Sequence, residues 1–282
     1  MTGYTTATVN SADGTVIGYR RYGGTGPGLV LLHGGMKAAQ HFSTLATTLS
    51  DAFTVHVPDR RGRGRSGPHG EGHGIAREVE DLRALLAATG AEFVFGLSVG
   101  GLIALRTALV TPALRRLAVY EPPLSINGSI PMDWLPRYDR ELAAGHRASA
   151  LITAMRGLPV EPIFHRVPRA ALTPLLALGL RAQKAGPDET TIAELIPTQG
   201  HDVRLAEELA DTVPDYAAVR ARVLLLGGTR GPSFFEPALA ALAATLPDAR
   251  RITFPGLTHE GPEDDGHPLV VAPALREFFT AG

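Results

Sequence analysis

The stretch Gly96-Leu97-Ser98-Val99-Gly100-Gly101 follows the apolar run Phe93-Val94-Phe95 without a break, and nothing else in the sequence limits the fold as strongly. A serine with glycines two positions to either side, at the exit of a predicted strand, implies a very tight turn from strand into helix. Such a turn strains the serine backbone, and only residues without a Cβ avoid collision at the flanking positions. It lifts the Ser98 hydroxyl onto the carboxyl edge of a sheet and aims the Val99 amide at whatever that hydroxyl attacks. The run from Leu102 to Leu109 then reads as a buried helix. Strand, elbow and helix are all present.

The pattern extends in both directions. Residues 5–10 and 15–22 alternate in strand fashion about Asp13-Gly14, a hairpin signal. A strand at 29–32 starts an alternation of strands and helices, with helices predicted over 38–49 and 75–88. In the second of these Val79, Leu82, Leu85 and Leu86 share one face. After another apolar strand at 117–120, Glu121-Pro122-Pro123 halts regular structure. The next apolar strand, 223–226, comes roughly a hundred residues later, far beyond an ordinary loop. The interval is amphipathic and helical, for example over 134–144, 148–155, 170–180 and 191–196. This predicts a core of residues 1–121 and 216–282 with a helical cap, 122–215, inserted between two strands. Closing helices are expected over 236–246 and 269–279.

Composition narrows the function. With 282 residues the chain can bury a large core and suits one α/β domain with an insertion. A net charge of -1 gives no electrostatic reason to expect nucleic acid or an anionic membrane as partner. The absence of cysteine removes disulfides, thiolate nucleophiles and cysteine-held metals together. The opening residues show neither a basic start nor an apolar leader core, and no apolar run approaches the ~20 residues that a bilayer needs. A cytoplasmic protein is expected; the residues set no oligomeric state.

Three further segments give the elbow its context. Leu29 to Leu32 ends in His33-Gly34-Gly35-Met36. Phe53 to Pro58 runs into Asp59-Arg60-Arg61-Gly62-Arg63-Gly64-Arg65-Ser66. Arg251 to Phe254 leads through Pro255-Gly256-Leu257-Thr258 to His259. In this order, and over nearly the whole chain, the sequence resembles the α/β-hydrolase family. The resemblance implies a mostly parallel central sheet with helices on both faces, an inserted helical cap, and serine hydrolase chemistry without cofactor or metal. It makes Ser98 the nucleophile and His259 the general base that takes the hydroxyl proton and returns it to the leaving group. The Gly35 or the Met36 amide would join that of Val99 in holding the oxyanion, with His33 bracing the loop. The basic run 60–65 admits two readings, an anion site or the family's structural turn. Trp134, Tyr138 and Phe164 are equally suited to a cap core and to a pocket lining.

One departure stands out. Most members place the triad acid after the strand that follows the cap, in a G-x-x-D pattern, whereas this chain reads Gly227-Gly228-Thr229-Arg230-Gly231-Pro232. Arg230 stands near the acid's position, and a guanidinium there would oppose the imidazolium formed during catalysis. Some members carry the acid after the preceding core strand, and Glu121 occupies that place. Glu121 either accepts a hydrogen bond from His259 or merely opens the cap and pairs with a base such as Arg230. A carboxylic ester hydrolase working through an acyl-enzyme on a small apolar ester or acyl compound is the expected function. The empty slot keeps a non-hydrolytic member (lyase, cyclase or perhydrolase) in view. A ligand-binding protein that kept the fold without turnover is the alternative from another class.

Overall fold

Strands covered by helices on both faces are apolar throughout rather than alternating, and the runs at 29–32, 93–95, 117–120 and 223–226 follow that rule. In the computed structural model, which describes residues 3–158 and 163–281, each is a central strand. Met1 and Thr2 of the opening stretch, residues 159–162 of the expected cap, and Gly282 lie outside the described residues. The strands are β1 (Tyr4–Asn10), β2 (Val16–Tyr22), β3 (Gly28–Leu32), β4 (Thr54–Pro58), β5 (Phe93–Leu97), β6 (Arg116–Tyr120), β7 (Arg222–Gly228) and β8 (Ala249–Phe254). They form one eight-stranded sheet in the order β1-β2-β4-β3-β5-β6-β7-β8. The β1–β2 hairpin and the β2–β4 pair are antiparallel, and every other pair is parallel.

Alternation along each strand divides the core. Val30, Val94, Leu117, Val119 and Leu225 point to one face, where α2 (Ile75–Thr89) and α3 (Val99–Val110) pack. Leu29, Leu31, Phe95, Ala118 and Leu224 point to the other, against α1 (Ser43–Leu49). The helix expected over 38–49 is split, because residues Ala39–Phe42 form a 3-10 turn ahead of α1.

Between β6 and β7 run α4 (Leu135–Ala143), α5 (Arg147–Gly157), α6 (Ile163–Arg166), α7 (Arg169–Ala182), α8 (Ile192–Leu195) and α9 (Gln199–Glu208). The chain closes with α10 (Phe235–Thr245) and α11 (Pro268–Thr280), on opposite faces of the sheet. Trp134, Leu135, Tyr138, Ala150, Leu151, Ala154, Ile196 and Val203 form a small apolar cluster of their own. Trp134 meets Tyr138 edge to face, with ring centres 5.6 Å apart, and the Tyr138 hydroxyl donates to the Ile196 carbonyl. Both rings therefore belong to the helical core of this segment, while Phe164 is half-buried. The segment expected as a helix over 191–196 is a single turn, α8, opened by a capping box between Thr191 and Glu194. Helix α9 is not evident from the sequence. Val203 joins it to the small cluster, whereas Leu205 and Ala206 enter the main core against α3.

The basic run after β4 is held by buried ion pairs. Arg60 meets Glu78 of α2 at 2.7 Å and Asp202 of α9 at 2.9 Å, and Arg63 meets Asp202 at 3.0 Å. Arg61 bridges Asp81 at 2.5 Å and Asp13 of the hairpin at 3.0 Å. Asp59 accepts the amides of Ala39 and Arg65 at 2.8 and 3.0 Å. These guanidinium groups are consumed inside the protein, so the turn is structural and offers no anion site at Arg60, Arg61 or Arg63. Among the described residues no helix is long and apolar enough to cross a membrane.

Exposed loop tips are the usual points of proteolytic entry, and Gln183, Lys184 and Ala185 lie exposed between α7 and α8. Limited trypsin digestion is expected to cut first at Lys184, read by mass spectrometry of the early fragments. A first cut at Arg60, Arg61 or Arg63 would contradict the buried network.

Candidate active site

The elbow is a matter of space. A Cβ on Gly96 would stand 2.4 Å from the Gly100 carbonyl oxygen, and one on Gly100 would stand 2.3 Å from that of Leu32. No side chain fits at either position, so β3, β5 and α3 converge only because these residues are glycines. Ser98 takes the turn itself with φ 54° and ψ -125°. Such a backbone costs a non-glycine residue about 1–3 kcal/mol, and surrounding structure must hold it there. Here the Ser98 amide donates to the Tyr120 carbonyl at 2.8 Å, and the Ser98 carbonyl accepts from Gly101 at 2.8 Å. Ser98 is half-buried at the N-terminus of α3, where Val99 supplies the first of the helix amides with no partner inside the helix.

The loop after β3 lies against it. A Cβ on Gly34 would be 3.1 Å from Ser98 Cβ. His33 is fully buried: Nε2 accepts the Arg60 amide at 3.2 Å, and Nδ1 lies 2.9 Å from the Gly34 carbonyl, to which it donates. Burial, reinforced by the charges of Arg63 and Arg60, holds this imidazole well below its ordinary pKa. His33 is thus a neutral strut between two loops.

Of the two amides weighed for the oxyanion, that of Met36 is committed elsewhere. It donates to Asp202 Oδ2 at 3.3 Å. That hydrogen bond makes Gly35 the freer of the two candidates on this loop, beside Val99.

His259 follows β8, half-buried, its ring stacked on Phe235 with centres 4.4 Å apart and planes 11° from parallel. Nδ1 lies 2.7 Å from Glu121 Oε2. The other carboxylate oxygen, Oε1, accepts the Gly228 amide at 2.8 Å. Glu121 is buried and sits in the left-handed region with φ 45°. The absence of an acid after β7 acquires a steric reason. A Cβ on Gly231 would stand 2.5 Å from Glu121 Oε1, and one on Gly227 would stand 3.3 Å from it. The glycine-rich turn leaves room for a carboxylate entering from the neighbouring strand. Arg230 is exposed and makes no ion pair with Glu121.

Three residues that the sequence did not single out organise this region. Tyr120 holds Ser98 through its carbonyl and the histidine loop through its hydroxyl, which donates to the Thr258 carbonyl at 2.8 Å. Lys37 ties the loop after β3 to the histidine loop, pairing with Glu263 at 2.6 Å and Glu260 at 3.2 Å. Asp202, with no exposed surface, joins α9 to Arg60, Arg63 and the Met36 amide. Asp202 and Lys37 are single charges in ordinary amphipathic or loop stretches, so no spacing marks them. Among the described residues no group of three or more His, Asp or Glu side chains is placed to hold a metal ion.

Burial alone would raise the Asp202 pKa, but the Arg63 and Arg60 guanidinium groups outweigh it and bring the carboxyl down to about 2. A depressed carboxyl stabilises the fold fully above the ordinary value of 3.8, and that contribution is lost as pH falls through about 2. Asp202→Asn is expected to lose about 3–5 kcal/mol in urea unfolding at neutral pH, as when one partner of a buried ion pair is removed. The gap from wild type should narrow as pH falls from about 4 toward about 2. A gap that is constant over this range would show that charge is not what Asp202 contributes.

A family model described as the alpha/beta hydrolase family matches residues 29–274. The chain is 29% identical to pimeloyl-[acyl-carrier protein] methyl ester esterase of Stenotrophomonas maltophilia (strain K279a), over 92% of this chain and 95% of that protein. It is 37% identical to N-formylmaleamate deformylase of Pseudomonas putida, over 41% of this chain and 44% of that one. Among solved structures, an alpha/beta hydrolase from Sphaerobacter thermophilus DSM 20745 superposes with a TM-score of 0.77 at 32% identity, covering 97% of this chain and all 100% of that one.

Proposed function

This chain belongs to the alpha/beta hydrolase family and is a hydrolase, and we propose that it opens carboxylic esters through Ser98, His259 and Glu121. The observation that carries the proposal is the 2.7 Å contact between His259 Nδ1 and Glu121 Oε2. With Nδ1 donating to the carboxylate, Nε2 is the nitrogen left to accept a proton. Ser98 Oγ attacks the ester carbonyl carbon while Nε2 takes its proton. The carbonyl oxygen gains the negative charge and is met by the Gly35 and Val99 amides, preorganised by the loop after β3 and the start of α3. Collapse expels the alcohol, which receives the proton from His259 and leaves Ser98 acylated. Water then attacks the acyl-enzyme with His259 again as base, and the carboxylic acid departs. The Glu121 carboxylate, 2.7 Å from Nδ1, offsets the imidazolium charge.

In this reading the segment 122–215 is a cap over the site, and the enzyme works in the cytoplasm without a cofactor. Met36 packs against the Trp134–Tyr138 cluster of that segment, which supports a largely apolar wall for the substrate. The Stenotrophomonas relative is named for a methyl ester, which supports an ester over other acyl compounds. The non-hydrolytic alternative drew its force from an imidazole without a carboxylate, and Glu121 stands in that place.

Two variants test the roles separately. Ser98→Ala is expected to fold normally, to lose covalent labelling by a fluorophosphonate probe, and to lower kcat on p-nitrophenyl esters by at least about 10³. Labelling that persists would transfer the nucleophile to another serine. Glu121→Gln should keep its melting temperature within a few degrees and still take the probe slowly, yet turn over about 10³ to 10⁴ times less, the scale of a neutralised triad acid. Unchanged turnover in that variant would reduce the site to a Ser98–His259 pair.

A further inference from the structure

A side-chain amide that has no protein partner but keeps accessible polar atoms on an otherwise covered residue presents open donor and acceptor capacity to whatever enters beside it. Gln199, the first residue of α9, is such a group. The residue is 7% exposed, no hydrogen bond from the described residues reaches its carboxamide, and what remains open on it includes those polar atoms. Its backbone amide is engaged with the Ile196 carbonyl, so the unmet capacity belongs to the side chain alone. Asp202, one turn further along the same helix, has its carboxylate spent on Arg60, Arg63 and the Met36 amide. Gln199 is left over from that network.

Its position is set by the loop after β3. Successive glycines of that loop touch the two sides of the site. A Cβ on Gly34 would lie 3.1 Å from Ser98 Cβ, and a Cβ on Gly35 would lie 3.0 Å from Gln199 Oε1. The carboxamide therefore rests on the residue whose amide is proposed to hold the oxyanion, one residue away from the nucleophile. The missing side chain at Gly35 is what gives it room there.

We infer that Gln199 is a specificity-determining residue that binds a neutral hydrogen-bonding group, such as a hydroxyl, carbonyl or carboxamide, on the acyl part of the ester, close to the reacting carbonyl. This rests on the ester hydrolase reading and narrows it, since the acyl pocket is then apolar save for one polar subsite. A carboxamide both donates and accepts, so it suits an uncharged group of either polarity. The charges of the adjoining network, Asp202 and Glu78 with Arg60 and Arg63, already neutralise one another and supply no site for an ionised group.

The test compares two isosteric esters, p-nitrophenyl β-hydroxybutyrate and p-nitrophenyl isovalerate, in wild type and in Gln199→Met. Methionine keeps the length and removes both hydrogen-bonding atoms. Wild type is expected to favour the hydroxy ester in kcat/KM, and the variant to lose that preference by about 10-fold to 100-fold, the range of one hydrogen bond to an otherwise unpaired group. The melting temperature of the variant should stay within a few degrees of wild type, because the carboxamide makes no hydrogen bond to the protein. A merely structural glutamine would instead lower it. A ratio of the two esters unchanged by the substitution overturns the inference, and shows the carboxamide to be met by water. No turnover of either ester, with no fluorophosphonate labelling of Ser98, overturns the hydrolase reading itself.

Discussion

Everything at the centre of this molecule depends on how closely three backbones approach one another at the elbow. Gly96 and Gly100 have no space for a Cβ against Gly100 and Leu32 respectively, so β3, β5 and α3 meet at contact distance. That approach forces Ser98 into its strained turn and brings the loop after β3 alongside it. The strain is held by ordinary means: the Ser98 amide is donated to β6, and the buried apolar faces of β5 and α3 lock both arms of the turn. The Ser98 hydroxyl is thereby carried on rigid elements, the kind of placement that a preorganised site needs.

Around that centre, charge does the positioning that apolar packing cannot. The buried arginines after β4, Arg60, Arg61 and Arg63, reach in three directions, to the hairpin, to α2 and to α9, and each finds a carboxylate. Buried ion pairs of this kind add little net stability, but they tolerate no alternative register, since a displaced partner leaves a bare charge in the interior. Asp202 shows the consequence. By holding two arginines and the Met36 amide together, it fixes the helix that carries Gln199 relative to the loop that carries Gly35. Lys37 does the same between that loop and the loop of His259. The helical segment is therefore tied through Asp202 to the loop after β3 and to the turn after β4.

Strand ends at one sheet edge are interchangeable sources of a side chain when the strands are neighbours. Tyr120 pairs with Leu226 across β6 and β7, so a carboxylate one residue past β6 and one a few residues past β7 can reach the same ring. In this chain Glu121 comes from the first strand, and the turn after the second is emptied by Gly227 and Gly231 to receive it. Acid and glycines make a single compensating arrangement.

The sequence by itself determined what rests on local sterics and periodicity: the elbow at Ser98, the apolar central strands, the hairpin at Asp13-Gly14, the long α2, and a late histidine after β8. Such signals lie within a few residues of one another, so they survive in one dimension. Only the tertiary structure decided between readings that depend on partners far apart in the chain. It set Glu121 at 2.7 Å from His259, committed the Met36 amide to Asp202, and turned the arginine run into a structural turn by supplying carboxylates from the hairpin, α2 and α9. It also revealed α9, whose ten residues divide their apolar side chains between two cores and so show no single clean stripe. The physical reason is the same in each case. A carboxylate in a sequence carries no mark of which cation or ring it will face, because that choice belongs to the sheet order and to the packing of helices across it.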